Sequence, residues 1–310
     1  MVCPLAREPE GARKRVGGIV MVNNEKNTLD AASVLQGLSQ LLGEGRIRIV
    51  DLTHTLSPEF PQIALPPEMG QCWPFRIEEA SRYDERGPGW YWNNFSCGEH
   101  TGTHFDAPNH WISGRDLPNN AVDTIPVQNF VAPACVIDCS AQSATDPDYL
   151  LSVQDVLDWE ARHGRIPAKS WVLMRTDWSK LWSKAEASAA TKQGIEKRNA
   201  SLDGAMAYQN FDETGQHTPG PDAEVVRFLV EDRDVLGFGT EAIGTDAGQG
   251  YHLTPPYPCH YLMHGAGRYG LQCLTNLDLL PATGSVLICP PLKIQQGSGS
   301  PLRVLALIVG

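Results

Sequence analysis

The chain has 310 residues, of which 42% are hydrophobic and 20% are charged, a composition typical of globular proteins rather than of disordered, fibrous or coiled-coil chains. Its 36 acidic and 25 basic residues give a formal net charge of -11, and the basic residues form no cluster, so nucleic acid is disfavoured as a partner. No apolar run approaches the roughly 18 residues that a membrane span needs, which disfavours a membrane protein.

The organisation of the chain is predicted from composition along its length. Residues 1–28 are polar and of mixed charge, and we expect them to form an N-terminal extension. Residues 29–310 are predicted to form a single domain, in which the stretch 179–216, rich in Lys, Ala, Glu, Ser and Gln, is a helical or loop insertion. The N-terminal part carries no apolar stretch of signal-peptide length, and the eight scattered cysteines form no CxxC pair. We therefore expect a cytoplasmic protein with mostly reduced core thiols.

Hydrophobic periodicity predicts the first elements and the strands. Apolar residues at helical spacing from Leu29 predict a helix that ends at Gly43 or Gly45, and the alternating segment 46–54 predicts a strand directly after it. Further β-branched, apolar runs predict strands at 134–138, 171–176, 235–240, 285–289 and 302–309.

Two helices are predicted between these strands. The segment 152–164 has Ser152 as a candidate N-cap and Gly164 as its stop, and the segment 221–234 is opened by Pro221. Because strands and helices alternate, the pattern favours an α/β fold.

Three of the nine histidines fall within the eleven-residue segment HTGTHFDAPNH, where chance predicts about 0.3 (9 × 11/310). Imidazole and carboxylate groups are the usual ligands of Zn, Mn and Fe, and one ion must bring its donor atoms within a few ångströms of each other. On a straight strand His100 and His104 would lie about 13 Å apart, so we predict a bend at Gly102. Asp106 follows His104 by two residues and points to the same side. The segment therefore predicts a metal site, with His110 beside it.

A second group of polar residues lies about 150 residues later. It comprises His260, His264 and Gln272. Gln272 falls in a predicted strand, where a buried amide must find partners for both its oxygen and its nitrogen. Metal coordination through the oxygen is one such partner.

The segment HTGTHFDAPNH closely resembles the HxGTHxDAPxH signature of the cyclase or kynurenine formamidase-like family of metal-dependent hydrolases. The resemblance continues through DLTHTLSP (51–58), VLMRTDW (172–178) and IGTDAG (243–248) to the C-terminus, about 260 of 310 residues. It implies a swivelling β/β/α-type fold with a mixed central sheet or barrel and flanking helices. It also implies a homo-oligomer, dimer or tetramer, that hydrolyses a non-peptide amide with a metal-activated water.

The resemblance assigns roles to residues of this chain. Its first-metal ligands fall on His100, His104 and Asp106, its acid/base histidine on His110, and its later active-site histidine on His260. His264 receives no role.

Gln272 departs from the arylformamidases of this family, which have at this place a glutamate that binds two zinc ions. Two dications close together repel, so the loss of a bridging carboxylate weakens the second site. We therefore predict a single ion, Mn²⁺ or Zn²⁺, held by the three ligands above and by Gln272. Gln272 and its neighbours resemble the isatin hydrolase branch of the family, which holds one manganese and opens a cyclic amide.

The expected substrate is a small cyclic amide, either isatin-like or a lactam or imide. The ion would polarise its carbonyl, and His110 or His260 would move the proton of the attacking water to the leaving nitrogen. Planar side chains near the metal segment suit a flat substrate, and those predicted to bind it are Phe60, Trp90, Trp92 and Trp111.

Several other functions fit part of the pattern. An arylformamidase would act on an N-formyl anilide, and a trans-dienelactone-type hydrolase would act on an unsaturated lactone. His104 and Asp106 with His260 or His264 also match the HxD...H triad of non-haem iron oxygenases, whose activity would depend on oxygen. A non-enzymatic metal-binding protein is a further alternative, for which no coordination position would be open to water.

Overall fold

The computed structural model of the protein describes residues 30–63, 65, 68–192 and 194–310, so the predicted extension at 1–28 lies outside the described residues. The strands are β1 (Ile47–Asp51), β2 (Arg76–Arg82), β3 (Tyr91–Ser96), β4 (His104–Asp106), β5 (Val131–Asp138), β6 (Leu150–Leu151), β7 (Trp171–Arg175), β8 (Phe211–Asp212), β9 (Gly215–Gln216), β10 (Gly220–Pro221), β11 (Gly237–Thr240), β12 (Tyr269–Gln272), β13 (Ser285–Ile288), β14 (Gly299–Pro301) and β15 (Leu305–Val309). The helices are α1 (Ala31–Gly43), α2 (Ser140–Ser143), α3 (Val153–His163), α4 (Ser179–Ala190), α5 (Gly194–Gln209) and α6 (Ala223–Glu231).

Nine strands form one mixed sheet in the order β1-β15-β13-β5-β7-β11-β12-β4-β14. The pairs β5–β7, β7–β11 and β11–β12 are parallel, and the remaining pairs are antiparallel. The predicted α/β fold with a mixed central sheet and flanking helices is confirmed. No helix in the described part of the chain is long and apolar enough to cross a membrane.

The centre of the sheet is buried on both faces. In β7, Trp171 and Leu173 pack into one hydrophobic cluster, while Val172 and Met174 pack into another on the opposite face. This alternation follows from the two-residue repeat of a strand, and it explains why β7 reads as a continuous apolar run. Helices α3 and α6 cover the second face with Trp159, Val225 and other apolar side chains.

Each predicted strand and helix overlaps an observed element, with bounds that differ by up to three residues. Ser152 caps α3 in a capping box with Asp155, and the helix ends at Gly164. The prediction that Pro221 opens the next helix is wrong, because Pro221 lies in β10 and Asp222 is the N-cap of α6. The Asp222 carboxylate accepts the Val225 N–H, which satisfies a free donor at the helix start.

The stretch 179–216 contains α4, α5 and the β8–β9 hairpin. Trp182 of α4 and Tyr208 of α5 are fully buried in a third apolar cluster with Phe60. The two helices are therefore packed onto the rest of the protein through aromatic side chains.

All seven cysteines among the described residues are free thiols, and five of them are buried. The expectation of reduced core thiols holds for this part of the chain.

Candidate metal centre and active site

The metal-ligand segment bends at Gly102, whose φ of 67° lies in the left-handed region that favours glycine. The bend brings the ring centroids of His100 and His104 to 5.2 Å, far less than the separation along a straight strand. A Cβ on Gly102 would also lie 3.0 Å from Cδ1 of Leu56. The structure therefore places the predicted bend at the predicted residue.

Strand β4 directs two of the candidate ligands to one side. His104 and Asp106 are two residues apart, and His104 Nε2 lies 3.3 Å from Asp106 Oδ1. Phe105 between them packs into the first core cluster. On β12, Gly270 pairs with Asp106, and a Cβ there would lie 2.8 Å from Asp106 Oδ2. Glycine at that position leaves room for the buried carboxylate.

The hydrogen bonds of His104 direct its Nε2 into the site. Its Nδ1 donates to the Gly102 carbonyl across 2.8 Å, which leaves Nε2 as the nitrogen that can bind a metal ion. This Nε2 is buried without a hydrogen-bond partner and faces the Asp106 carboxylate. His100 Nδ1 lies 2.8 Å from the same Asp106 oxygen. Two nitrogens and a carboxylate oxygen that converge in this way fit a divalent cation.

The charge of Asp106 is stabilised by its neighbours. Burial alone would raise the pKa of Asp106, but the adjacent His104 and His100 hold that pKa well below its usual value. The carboxylate is therefore available as the one anionic group of the candidate ligand set.

His110 stacks on His100, with ring centroids 3.8 Å apart. Burial, together with the neighbouring His100, lowers the pKa of His110 well below its ordinary value. Nitrogen or oxygen ligand atoms of His100, Asp106 and His110 all lie within 4.8 Å of one another. His110 is thus a neutral imidazole that lies beside the candidate ligands.

His260 lies on the single π-helical turn Cys259–Met263, and its ring centroid is 5.5 Å from that of His110. Its Nδ1 donates to Asp246 Oδ2 across 2.5 Å, and the other oxygen of Asp246 accepts the Cys259 N–H. Burial lowers the pKa of His260, but the hydrogen bond and the charge of Asp246 outweigh this and raise the pKa above its usual value. Asp246 was not among the residues predicted for the site, although it lies in the segment IGTDAG.

His264 also belongs to this site, although it received no role from the sequence. Its Nδ1 donates to the Arg268 carbonyl across 3.0 Å, and its Nε2 is buried without a partner. Ligand atoms of Asp106, His260 and His264 lie within 4.8 Å of one another. Burial lowers the pKa of His264 to about 4, so the ring is neutral. The i, i+4 spacing of His260 and His264 is the sequence signal that could have indicated that both side chains lie on one side of a helical turn.

Gln272 ends β12 opposite His104, and both ends of its amide are engaged. Its Oε1 accepts the Gly244 N–H across 2.8 Å, and its Nε2 donates to Asp106 Oδ2 across 2.6 Å. The Gly244 donor sets the orientation of the amide, since only the oxygen can accept. Gln272 is thus brought to the site in contact with Asp106, and its role as a ligand through Oε1 stays a prediction.

The four predicted substrate-binding aromatics are not gathered in one place. Trp111 adjoins the site, with its ring centroid 4.9 Å from that of His260. Phe60 is buried among Trp182, Tyr208 and His54. Trp90 and Trp92 are exposed at the β2–β3 hairpin, whose two strands pair only with each other. Among the described residues no ring contact links these two tryptophans to the histidines.

Comparison with known proteins identifies the family. A family model described as "Putative cyclase" matches residues 50–247. The chain belongs to this cyclase family.

Among curated members of the cyclase family, an isatin hydrolase of Roseibium aggregatum is 44% identical over 281 residues, which cover 90% of this chain and 99% of that protein. The solved structure of isatin hydrolase A from Labrenzia aggregata bound to benzyl benzoate is 56% identical, with a TM-score of 0.81 over 90% of this chain and all of that chain. An isatin hydrolase bound to the product analogue thioisatinate is 43% identical, with a TM-score of 0.82 over 91% of this chain and all of that chain. The resemblance read from HTGTHFDAPNH is confirmed.

Proposed function

We propose that the protein is a metal-dependent hydrolase that opens the ring of isatin or of a closely similar cyclic amide. The observation that carries the proposal is the convergence of His100 Nδ1 and the unpartnered His104 Nε2 on one oxygen of Asp106. The isatin hydrolases that resemble this chain, one of them bound to thioisatinate, support the choice of substrate.

One divalent ion, Mn²⁺ or Zn²⁺, would be held by His100, His104 and Asp106, with Gln272 as the fourth protein ligand. When bound, such an ion polarises a carbonyl group and lowers the pKa of a water molecule. The nitrogen and oxygen donors suit both metals, because imidazole and carboxylate ligands are common to them.

His110 and His260 divide the proton transfer between them. His110, whose lowered pKa keeps its imidazole unprotonated and free to accept, takes the proton of the attacking water. His260, paired with Asp246, donates a proton to the leaving nitrogen as the C–N bond breaks. The water oxygen bonds to the carbonyl carbon before this C–N bond breaks, and the product is a ring-opened carboxylate with a free amine.

Trp111 is the aromatic residue that we propose to pack against the substrate. It forms a T-shaped pair with Tyr257, at 5.8 Å between ring centroids, beside His260. A flat bicyclic amide can stack against such a wall with its carbonyl directed at the metal centre. Phe60 supports the site from the adjoining apolar cluster, and we assign Trp90 and Trp92 to a different surface.

That surface is the β2–β3 hairpin, and we propose that it joins two copies of the chain in a homo-oligomer. Ile77, Trp92 and Phe95 are 54%, 60% and 64% exposed on its strands. Ile77 and Phe95 pair across the hairpin on one face, while Trp92, three residues before Phe95, points to the other. An isolated two-stranded hairpin is marginally stable in water, and exposed apolar side chains on it mark a surface that a second copy can cover. The free thiols among the described cysteines support a cytoplasmic location for the assembly.

The test is a hydrolysis assay of metal-depleted protein after addition of Mn²⁺ or Zn²⁺, with the bound metal measured. The substrates are isatin, a small lactam or imide, an N-formyl anilide and an unsaturated lactone. We expect metal-dependent ring opening of isatin that is unchanged without oxygen. Fast turnover of the anilide or the lactone alone would identify an arylformamidase or a lactone hydrolase instead. Activity that requires oxygen would favour the oxygenase alternative.

A further inference from the structure

The outer nitrogen of His100 is connected to a carboxylate through a serine. His100 Nε2 lies 2.9 Å from the Ser298 hydroxyl, and this hydroxyl donates to Glu99 Oε2 across 2.6 Å. The backbone N–H of Ser298 donates to the same oxygen across 3.1 Å. Neither Glu99 nor Ser298 belongs to the segment HTGTHFDAPNH.

The direction of these hydrogen bonds identifies the inner nitrogen of His100. A serine hydroxyl has one proton, and here it is directed at Glu99 Oε2. The Ser298 oxygen can therefore only accept from His100, and Nε2 is the nitrogen that donates to it. Nδ1 is left to face Asp106 at 2.8 Å, and it is the nitrogen that can bind a metal ion held beside that carboxylate.

The segment that carries Ser298 leads directly into β14 and is held against the metal segment. The Ser298 carbonyl accepts the N–H of Ala107 across 2.9 Å, and β14 pairs with β4. A Cβ on Gly299 would lie 2.6 Å from His100 Cε1 and against the Phe105 carbonyl. The His100 ring is therefore confined between this strand and Asp106, which leaves its orientation little freedom.

We infer that Glu99 and Ser298 are positioning residues, which fix the Nε2-protonated tautomer of His100 so that Nδ1 is presented to the metal ion. Residues that hydrogen-bond the far nitrogen of a histidine ligand orient the ring and raise metal affinity. The inference rests on the proposed metal centre and extends it to two residues outside the ligand set.

The first test measures the affinity of metal-free protein for Mn²⁺ and Zn²⁺ by competition with a chromophoric chelator. We expect Ser298→Ala and Glu99→Ala to weaken binding by about 10-fold to 100-fold. Glu99→Gln keeps an acceptor oxygen and should bind closer to wild type than Glu99→Ala. The matched control is Ser300→Ala in β14, two residues further on, which removes a buried hydroxyl that accepts the Leu292 N–H and does not contact His100. It should leave the affinity near that of the wild type.

The second test identifies the protonated nitrogen by long-range ¹H–¹⁵N spectra of histidine-labelled protein, with and without Zn²⁺. We expect Zn²⁺-bound wild type to carry the His100 proton on Nε2 with Nδ1 towards the metal, and Zn²⁺-bound Ser298→Ala to show a second population in which the ring is turned and Nδ1 carries the proton. A Ser298→Ala variant that was merely unfolded would not show this change in which nitrogen of His100 carries the proton.

Two results overturn the inference. One is a Zn²⁺-bound wild type whose His100 carries its proton on Nδ1, and the other is wild-type affinity in both alanine variants. A wild-type protein that binds no metal would instead overturn the proposed function, and the metal part of this inference with it. If the activity of the wild type depends on metal but Ser298→Ala and Glu99→Ala bind metal as tightly as the wild type, only the positioning role is refuted.

Discussion

Gln272 and Asp106 lie 166 positions apart in the sequence, yet the Gln272 side-chain amide donates to the buried Asp106 carboxylate across 2.6 Å. The contact is possible because β12 and β4 are neighbouring antiparallel strands in which Gln272 pairs with His104. A neutral amide at this position leaves Asp106 as the carboxylate that two ligand histidines share, and it adds no second negative charge.

Replacing this amide with a carboxylate should change the number of bound ions. In Gln272→Glu two buried carboxylates would face each other, so we expect the metal-free protein to melt at a lower temperature than the wild type. A second dication can relieve this repulsion, and we expect the metal content to rise from one towards two ions per chain. Elemental analysis and thermal denaturation measure both effects.

Gln154→Glu is the matched control, because Gln154 is exposed on α3, far along the chain from the site, and its amide donates to Asp158 one helical turn away. It should bind one ion and melt like the wild type. One ion per chain in Gln272→Glu would show that the amide does not set the stoichiometry.

Variants of a proposed metal ligand and of a proposed proton-transfer residue should differ in how much metal they bind. His104→Ala removes a nitrogen that faces Asp106, and we expect it to lose both metal and activity. His110→Ala should keep the metal and lose turnover by about 10² to 10⁴-fold, the usual contribution of general acid–base catalysis. His163→Ala, on the exposed end of α3, is the control. Full activity in either site variant would refute the assigned role.

The hydrogen bond between Asp246 and His260 predicts a pH effect. Asp246 raises the pKa of His260 despite its burial, so His260 stays protonated to higher pH than an ordinary histidine. If His260 donates a proton, activity is lost as pH rises through its pKa, and Asp246→Asn should move this loss to lower pH. We also expect kcat to fall by about 10²-fold, measured as a pH–rate profile.

A second aspartate–histidine pair provides the control for this experiment. Asp148 and His217 are 2.7 Å apart near the β8–β9 hairpin, outside the site. Asp148→Asn should leave the pH–rate profile unchanged. An alkaline limb that stays in place in Asp246→Asn would show that His260 is not the proton donor.

Polar substitutions in the β2–β3 hairpin should change the oligomeric state of the protein. We expect the double variant Trp92→Ser and Phe95→Ser to dissociate the oligomer in light-scattering experiments, because it removes exposed apolar surface that a second copy would bury. Met206→Ser, at a residue 70% exposed on α5, should not change the mass in solution. A monomeric wild type would contradict the proposed assembly.

The sequence by itself determined the elements whose signals are local. Periodicity predicts the strands, and the Ser152 cap and Gly164 stop bound α3 because both act within one helical turn. The metal segment is predictable for the same reason. Three histidines and an aspartate within eleven residues, with a glycine between the first two histidines, can converge only by a local bend.

The tertiary structure alone decided which distant residues complete the site. Asp246 meets His260 and Ser298 meets His100 because loops and neighbouring strands close across the sheet, and no local spacing encodes those contacts. The exposed position of Trp90 and Trp92 was likewise invisible in sequence, since closeness along the chain to the metal segment does not bring a separately paired hairpin to the metal centre. Sequence spacing limits distances over a few residues, whereas longer separations are set by packing of the whole domain.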